Sequence, residues 1–158
     1  MTYTKGKCLV YDRATLAVVN DFAYQGEGWG ICNDGEYLYN TNGSNRIYVR
    51  NPETFEVVRT MDVMDNVNVL GKLNELEYVD GLIYAHVWMT DAIVVIEPNF
   101  GKVVAMINAE ELTKKGRNGG DVQNGIAYNP ESKTFFITGK YWDTMFEVNI
   151  TPPKIVSN

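Results

Sequence analysis

Leu73-Asn-Glu-Leu-Glu-Tyr-Val-Asp-Gly-Leu-Ile-Tyr-Ala-His-Val-Trp88 is the stretch from which the rest of the chain can be read. Two strand-like runs flank Asp80-Gly81, a tight-turn signal because glycine accepts φ > 0 without strain. The outer ends of the runs carry Asn74 and Glu75 before the turn and His86 and Trp88 after it. In a hairpin those ends lie side by side. One rim of the sheet then collects an amide, a carboxylate, an imidazole and an indole.

The design recurs in both directions. Downstream, Ala92 to Glu97 and Lys102 to Ile107 continue the meander, separated by Pro98 to Gly101. Upstream, Gly26 to Cys32, Tyr37 to Asn40, Arg46 to Arg50 and Phe55 to Met61 are four further strands joined by tight turns. Gly35 to Pro52 and Gly81 to Pro98 both span 17 residues, and laying one meander on the other puts Ile47 on Ile93 and Val49 on Val95. A third copy, 54 residues further on, places Ile137 on Ile83, Lys140 on His86 and Trp142 on Trp88. Running the register back by 39 puts Tyr3 on Asn42, in a partial copy formed by Cys8 to Asp12 and Leu16 to Phe22. Repeats of about 40 to 50 residues, each with four short antiparallel strands, are the signature of a β-propeller. A β-sandwich gives no reason for the same inner positions to recur. The expected fold is therefore all-β: an incomplete propeller of four-stranded antiparallel blades over residues 1–150. Residues 1–22 end one blade, 23–64, 73–109 and 121–150 form three more, and 151–158 are a tail. One helix is expected, Ala109 to Lys115, with Asn108 as N-cap and Gly116 at the C′ position.

Composition narrows the function. The 158 residues suffice for one domain with its own core. A net charge of −6 without a basic cluster argues against nucleic acid. No apolar run approaches the roughly 18 to 20 residues of a membrane span, and no basic-then-apolar leader opens the chain; the default compartment on that reading is cytoplasmic. Two cysteines, Cys8 and Cys32, and one histidine, His86, are too few for a Cys/His zinc site. Whether the two cysteines pair cannot be read from spacing. No metal and no cofactor is expected.

In a propeller the innermost strands line a central channel and the loops converge at one mouth. That mouth would gather Trp29, Trp88, Trp142 and Tyr3 around Asn74, Asn124 and Lys140, a pocket suited to a small polar substrate carrying an amide or amine. Recurring aromatics in blades also serve packing, and Glu27 and Glu75 either face the pocket or accept backbone N–H bonds near the channel. Lys140, closing the apolar run Phe135-Phe-Ile-Thr-Gly139, needs a reason to be there. His86 alone says little, since a single histidine more often packs than catalyses.

Several segments resemble a known family. Tyr24-Gln-Gly-Glu-Gly-Trp-Gly30, Asn42-Gly-Ser44, Asn51-Pro-Glu-Thr-Phe55, Leu73-Asn-Glu-Leu-Glu77, Val87-Trp88, Asp121-Val-Gln-Asn-Gly-Ile-Ala-Tyr128 and Thr138-Gly-Lys-Tyr-Trp142 look like the plant and bacterial type of glutaminyl cyclase, the glutamine cyclotransferase family. The match runs in order from about Thr2 to Val148. The resemblance implies a five-bladed propeller and a metal-independent reaction that turns an N-terminal glutamine into pyroglutamate with release of ammonia. It implies an N-terminal-Gln peptide as partner and, carried over position by position, places Trp29, Asn74, Trp88 and Lys140 in the active site. Asn74 and Lys140 would act on the carboxamide and amine, and the indoles would wall the pocket. Tyr3 falls where the family has another tryptophan, His86 where it has asparagine, Asn42 where it has aspartate. The family's acid/base glutamate, in an F-G-E-G motif, has no counterpart here, so the chain resembles the last three blades plus part of another. Members are often exported. Open sheet edges invite pairing, which leads to the expectation of a homodimer or a partner chain covering them. A silent propeller fragment that binds peptides or assembles with itself is the rival reading.

Overall fold

The computed structural model describes residues 1–151, so residues 152–158 of the expected tail lie outside the described residues. Four sheets, antiparallel but for one pairing, follow one another along the chain. The first pairs β1 (Lys7–Tyr11) with β2 (Val18–Ala23). The second is the meander β3 (Gly30–Asn33), β4 (Leu38–Thr41), β5 (Arg46–Arg50) and β6 (Val57–Asp62). A small hairpin, β7 (Met64–Asp65) and β8 (Asn68–Val69), then leads into the third sheet. That sheet is built from β9 (Leu73–Val79), β10 (Leu82–Val87), β11 (Ala92–Glu97) and β12 (Lys102–Asn108). The hairpin extends it through a parallel pairing of Met64 with Lys102. Helix α1 (Glu110–Gly116) connects to the fourth sheet, β13 (Gln123–Asn129), β14 (Thr134–Gly139) and β15 (Phe146–Val148). No helix among the described residues is long and apolar enough to cross a membrane.

The turns follow from local chemistry. Asp80 and Gly81 both take positive φ, +49° and +84°, as a two-residue hairpin matched to strand twist requires. Gly116 departs from its expected role: it is the last helical residue, and Arg117 caps the helix in the right-handed region. The reason is contact, because the Trp142 ring lies where a Cβ on Gly116 would be. The helix also begins one residue late, at Glu110, so Ala109 and not Asn108 is the N-cap; Asn108 Oδ1 still accepts the Glu110 N–H at 2.9 Å from one position earlier.

The sheets stack face to face, and two apolar clusters lie between them. Ile47, Val49, Met61, Leu73, Leu76, Ile83 and Val94 join the second sheet to the third. Tyr84, Ile93, Val95, Phe135 and Ile137 join the third to the fourth. Strands β3, β9 and β13, the first of each meander, pack against one another in that order. Cross-links tie them: Thr41 Oγ1 donates to the Asn74 carbonyl at 2.8 Å, and the Tyr128 N–H donates to Glu77 Oε1 at 3.2 Å. Gly30 is needed here, since a Cβ would lie 2.5 Å from the Asn74 carbonyl oxygen and 2.8 Å from Glu75 Cα.

Two matching irregularities shape the inner strands. On β9, Asn74 and Glu75 together face the single residue His86 of β10, because Leu73 pairs with Val87 and Leu76 with Ala85. On β13, Asn124 and Gly125 likewise face Thr138, between the pairs Gln123–Gly139 and Ile126–Ile137. Each is a β-bulge, which restores the parity of side chains three residues apart. Leu73 and Leu76 can thus enter the same cluster. The same geometry sends Gln123, the equivalent of Leu73, into the interior, where it is 1% exposed.

Ladder pairing also corrects the expected overlay of the third repeat: β13 lies on β9 at an offset of 50 residues and β14 on β10 at 52, not 54, so Lys140 takes the position of Trp88, Thr138 that of His86, and Trp142 has no tryptophan counterpart.

Candidate functional site

One hollow of about 140 Å³ is lined by Tyr3, Trp29, Asn74, Trp88 and Lys140, drawn from five separate parts of the chain. The segment leading into β3 brings Trp29, β9 brings Asn74, and the turns after β10 and β14 bring Trp88 and Lys140. Tyr3 arrives from the N-terminal segment, whose carbonyl accepts the Gly28 N–H at 3.0 Å. The two turns share a conformation: Met89 and Tyr141, each following a lining residue, have φ of +66° and +59°. Left-handed backbone at large residues is strained and tends to gather where chain direction is set by function.

The aromatic walls are interlocked. The Trp29 and Trp88 rings meet edge to face at 5.4 Å, and Tyr3 approaches Trp29 at 6.4 Å. Trp29 lies flat on Gly43, where a Cβ would be 2.5 Å from Cζ2. The polar groups are held by their backbones. Asn74 is 5% exposed with its carbonyl bound by Thr41. The Lys140 N–H donates to Val122 at 3.0 Å and its carbonyl accepts from Asp121 at 2.8 Å. Among the described residues the Lys140 ammonium makes no ion pair. The hollow therefore offers a free cation, an amide and apolar faces, a combination that binds and polarises a small carbonyl or carboxamide.

Four residues expected at the mouth do not line this hollow. Trp142 packs on Gly116, Gly139 and Phe146 and donates its indole N–H to the Asp121 carbonyl at 2.9 Å, a consequence of the two-residue shift in register. Asn124 turns inward, its Oδ1 accepting the Glu75 N–H at 3.4 Å. Glu75 accepts the Leu76 N–H at 3.3 Å; burial pushes its carboxyl above the usual range, against backbone donors from Leu76 and Ile31. Glu27 accepts the Trp29 indole N–H at 2.7 Å. These groups sit behind the walls. Cys8 and Cys32 are free, buried thiols, and burial raises both. Among the described residues no three His, Cys, Asp or Glu side chains converge as a metal site would need.

A pair that the sequence pattern did not bring out is buried where β10 packs on β13. His86 and Gln123, both 1% exposed, come from β10 and β13, and none of their four side-chain nitrogen and oxygen atoms has a well-aligned hydrogen-bond partner. Burial holds the imidazole down at about 4, opposed by the nearby Gly125 backbone and Gln123 side chain.

A glutamine cyclotransferase family model matches residues 1–150. The chain belongs to the glutamine cyclotransferase family. Over 145 residues it is 33% identical to glutaminyl-peptide cyclotransferase from Arabidopsis thaliana, a match covering 89% of this chain and 45% of that protein. Among solved structures, the glutaminyl cyclase of Myxococcus xanthus superposes with a TM-score of 0.89 at 32% identity, covering 93% of this chain and 65% of the other. Hydrazine synthase from Kuenenia stuttgartiensis shares the fold alone, with a TM-score of 0.53 at 16% identity over 84% of this chain and 35% of that one. This family member thus spans about half the length of the curated relative it matches.

Proposed function

We propose that this protein is a glutaminyl-peptide cyclotransferase acting on peptides with N-terminal glutamine. One observation carries the reading: Tyr3, Trp29, Asn74, Trp88 and Lys140, scattered through the sequence, line a single hollow in a chain of this family. Its volume of about 140 Å³ suits one side chain of glutamine size. In the reaction the α-amine nitrogen attacks the side-chain carboxamide carbon, the carbon–nitrogen bond of the amide breaks, and the proton given up by the amine leaves with ammonia. Lys140 and Asn74 donate to the carboxamide oxygen as it gains negative charge, and the indoles exclude the water that would weaken those bonds. The four sheets are, on the same proposal, successive blades of a propeller, a reading supported by the ordered packing of β3, β9 and β13.

A second reading, peptide binding without turnover, is favoured by the lack of a carboxylate among the five lining residues. Ammonia release from a Gln-initiated dipeptide separates the two. Turnover that falls by about 10²-fold or more in Lys140→Ala, the usual effect of removing an oxyanion donor, supports the enzyme. No release above the uncatalysed rate supports the binder, and release unchanged by Lys140→Ala refutes the site.

A further inference from the structure

Glu27 and Trp29, two residues apart, lie in the irregular segment between β2 and β3, after a bend at Gly26 with φ of +86°. Their side chains meet there: the indole Nε1–H donates to Glu27 Oε2 at 2.7 Å in a half-buried setting. The other faces of the Trp29 ring are occupied by Gly43, Trp88 and Tyr3. These contacts hold the apolar faces of the ring, and the hydrogen bond to Glu27 fixes the edge that carries its one polar atom. The flanking glycines make the approach possible. At Gly28 a Cβ would lie 2.9 Å from both Met1 Cβ and the Thr2 carbonyl oxygen, so only a bare backbone lets the segment lie this close to the N-terminal residues that carry Tyr3.

We propose that Glu27 is a positioning residue, whose carboxylate locks the Trp29 indole edge to face with Trp88 and so sets the width of the hollow for a carboxamide side chain. Glu27 acts through Trp29 and not on the substrate. The inference rests on the hollow being the peptide site, and its test includes a reading independent of catalysis.

The variants are Glu27→Ala and Glu27→Gln, each on a Trp142→Phe background that leaves Trp29 and Trp88 as the only indoles. Near-ultraviolet circular dichroism reports the coupling of that ring pair. Glu27→Ala should lose the coupled signal, whereas Glu27→Gln, which retains an acceptor oxygen, should keep it. With a Gln-initiated dipeptide, Glu27→Ala should raise KM about tenfold with little change in kcat, and Glu27→Gln should remain within about threefold of the parent. If Glu27→Gln is as impaired as Glu27→Ala, the carboxylate acts by its charge or as a proton acceptor and the proposal is overturned. An unchanged dichroism signal in Glu27→Ala overturns it equally. Should the parent release no ammonia, the functional reading fails while the dichroism comparison still decides the role of Glu27.

Discussion

Acidification should weaken this fold through His86. The imidazole is 1% exposed, and the groups it faces on β13, the Gly125 backbone and the Gln123 side chain, are neutral. Burial therefore favours the uncharged ring and holds its pKa at about 4, against the ordinary 6.5. For a base depressed in the folded state, the stabilising effect is full above the unfolded value and is lost as pH falls from there toward the folded one. At pH 4.5 the loss comes to about 2.5 kcal/mol, from a gap of about 2.5 units at about 1.4 kcal/mol each, less the fraction not yet titrated. The measurement is the unfolding free energy in denaturant at pH 7 and pH 4.5, for the wild type and for His86→Leu, which has nothing to titrate. Glu75 and Glu77 act in the opposite direction, since burial raises both carboxyls and folding then favours their protonation. They are present in both proteins and cancel in the difference. Equal pH slopes in wild type and His86→Leu would refute the argument.

Two other perturbations test the packing of the inner strands. Gly30→Ala drives a methyl group into the Asn74 and Glu75 backbone; it should cost about 1–3 kcal/mol in denaturant unfolding and weaken dipeptide binding by displacing Asn74. A change below about 0.5 kcal/mol would mean that β3 and β9 yield freely. Glu75→Gln should stabilise the protein at pH 7, because its burial disfavours the ionised carboxylate. That gain should vanish as pH falls below the ordinary carboxyl range, where the wild-type group is neutral in both states, and a gain that persists there would contradict the assignment.

The meanders were legible wherever alternation, β-branched residues and a committed turn coincided. Arg46–Arg50, Leu82–Val87 and Ala92–Glu97 have the bounds their patterns imply. The β7–β8 hairpin was not legible, and the reason is physical. Its strands are two residues long, with mixed polarity, and they are held by tertiary contact: the Met64 N–H donates to the Gly101 carbonyl at 2.9 Å, and Gly101 lies where any Cβ would strike the Asp62 carbonyl. No local window contains both partners. Strand β15 was missed on similar grounds, since three residues are too few to show a period.

The site itself divides along the same line. Trp29, Asn74, Trp88 and Lys140 could be singled out because motifs at matching places in a repeat end at the same rim of the sheets. Trp142 was misplaced because the turn between β13 and β14, from Asn129 to Thr134, is two residues longer than that between β9 and β10, from Val79 to Leu82, so no single offset fits both strands. The bulges on β9 and β13 do shape the interior, and they make part of it polar. A regular strand would turn Leu73 and Leu76 to opposite faces, and Gln123 and Ile126 likewise. With the extra residue, Leu73 and Gln123 both point inward, one into an apolar cluster and the other toward His86. One device therefore fills the core, brings Asn74 to the hollow and leaves a neutral His–Gln pair buried between β10 and β13.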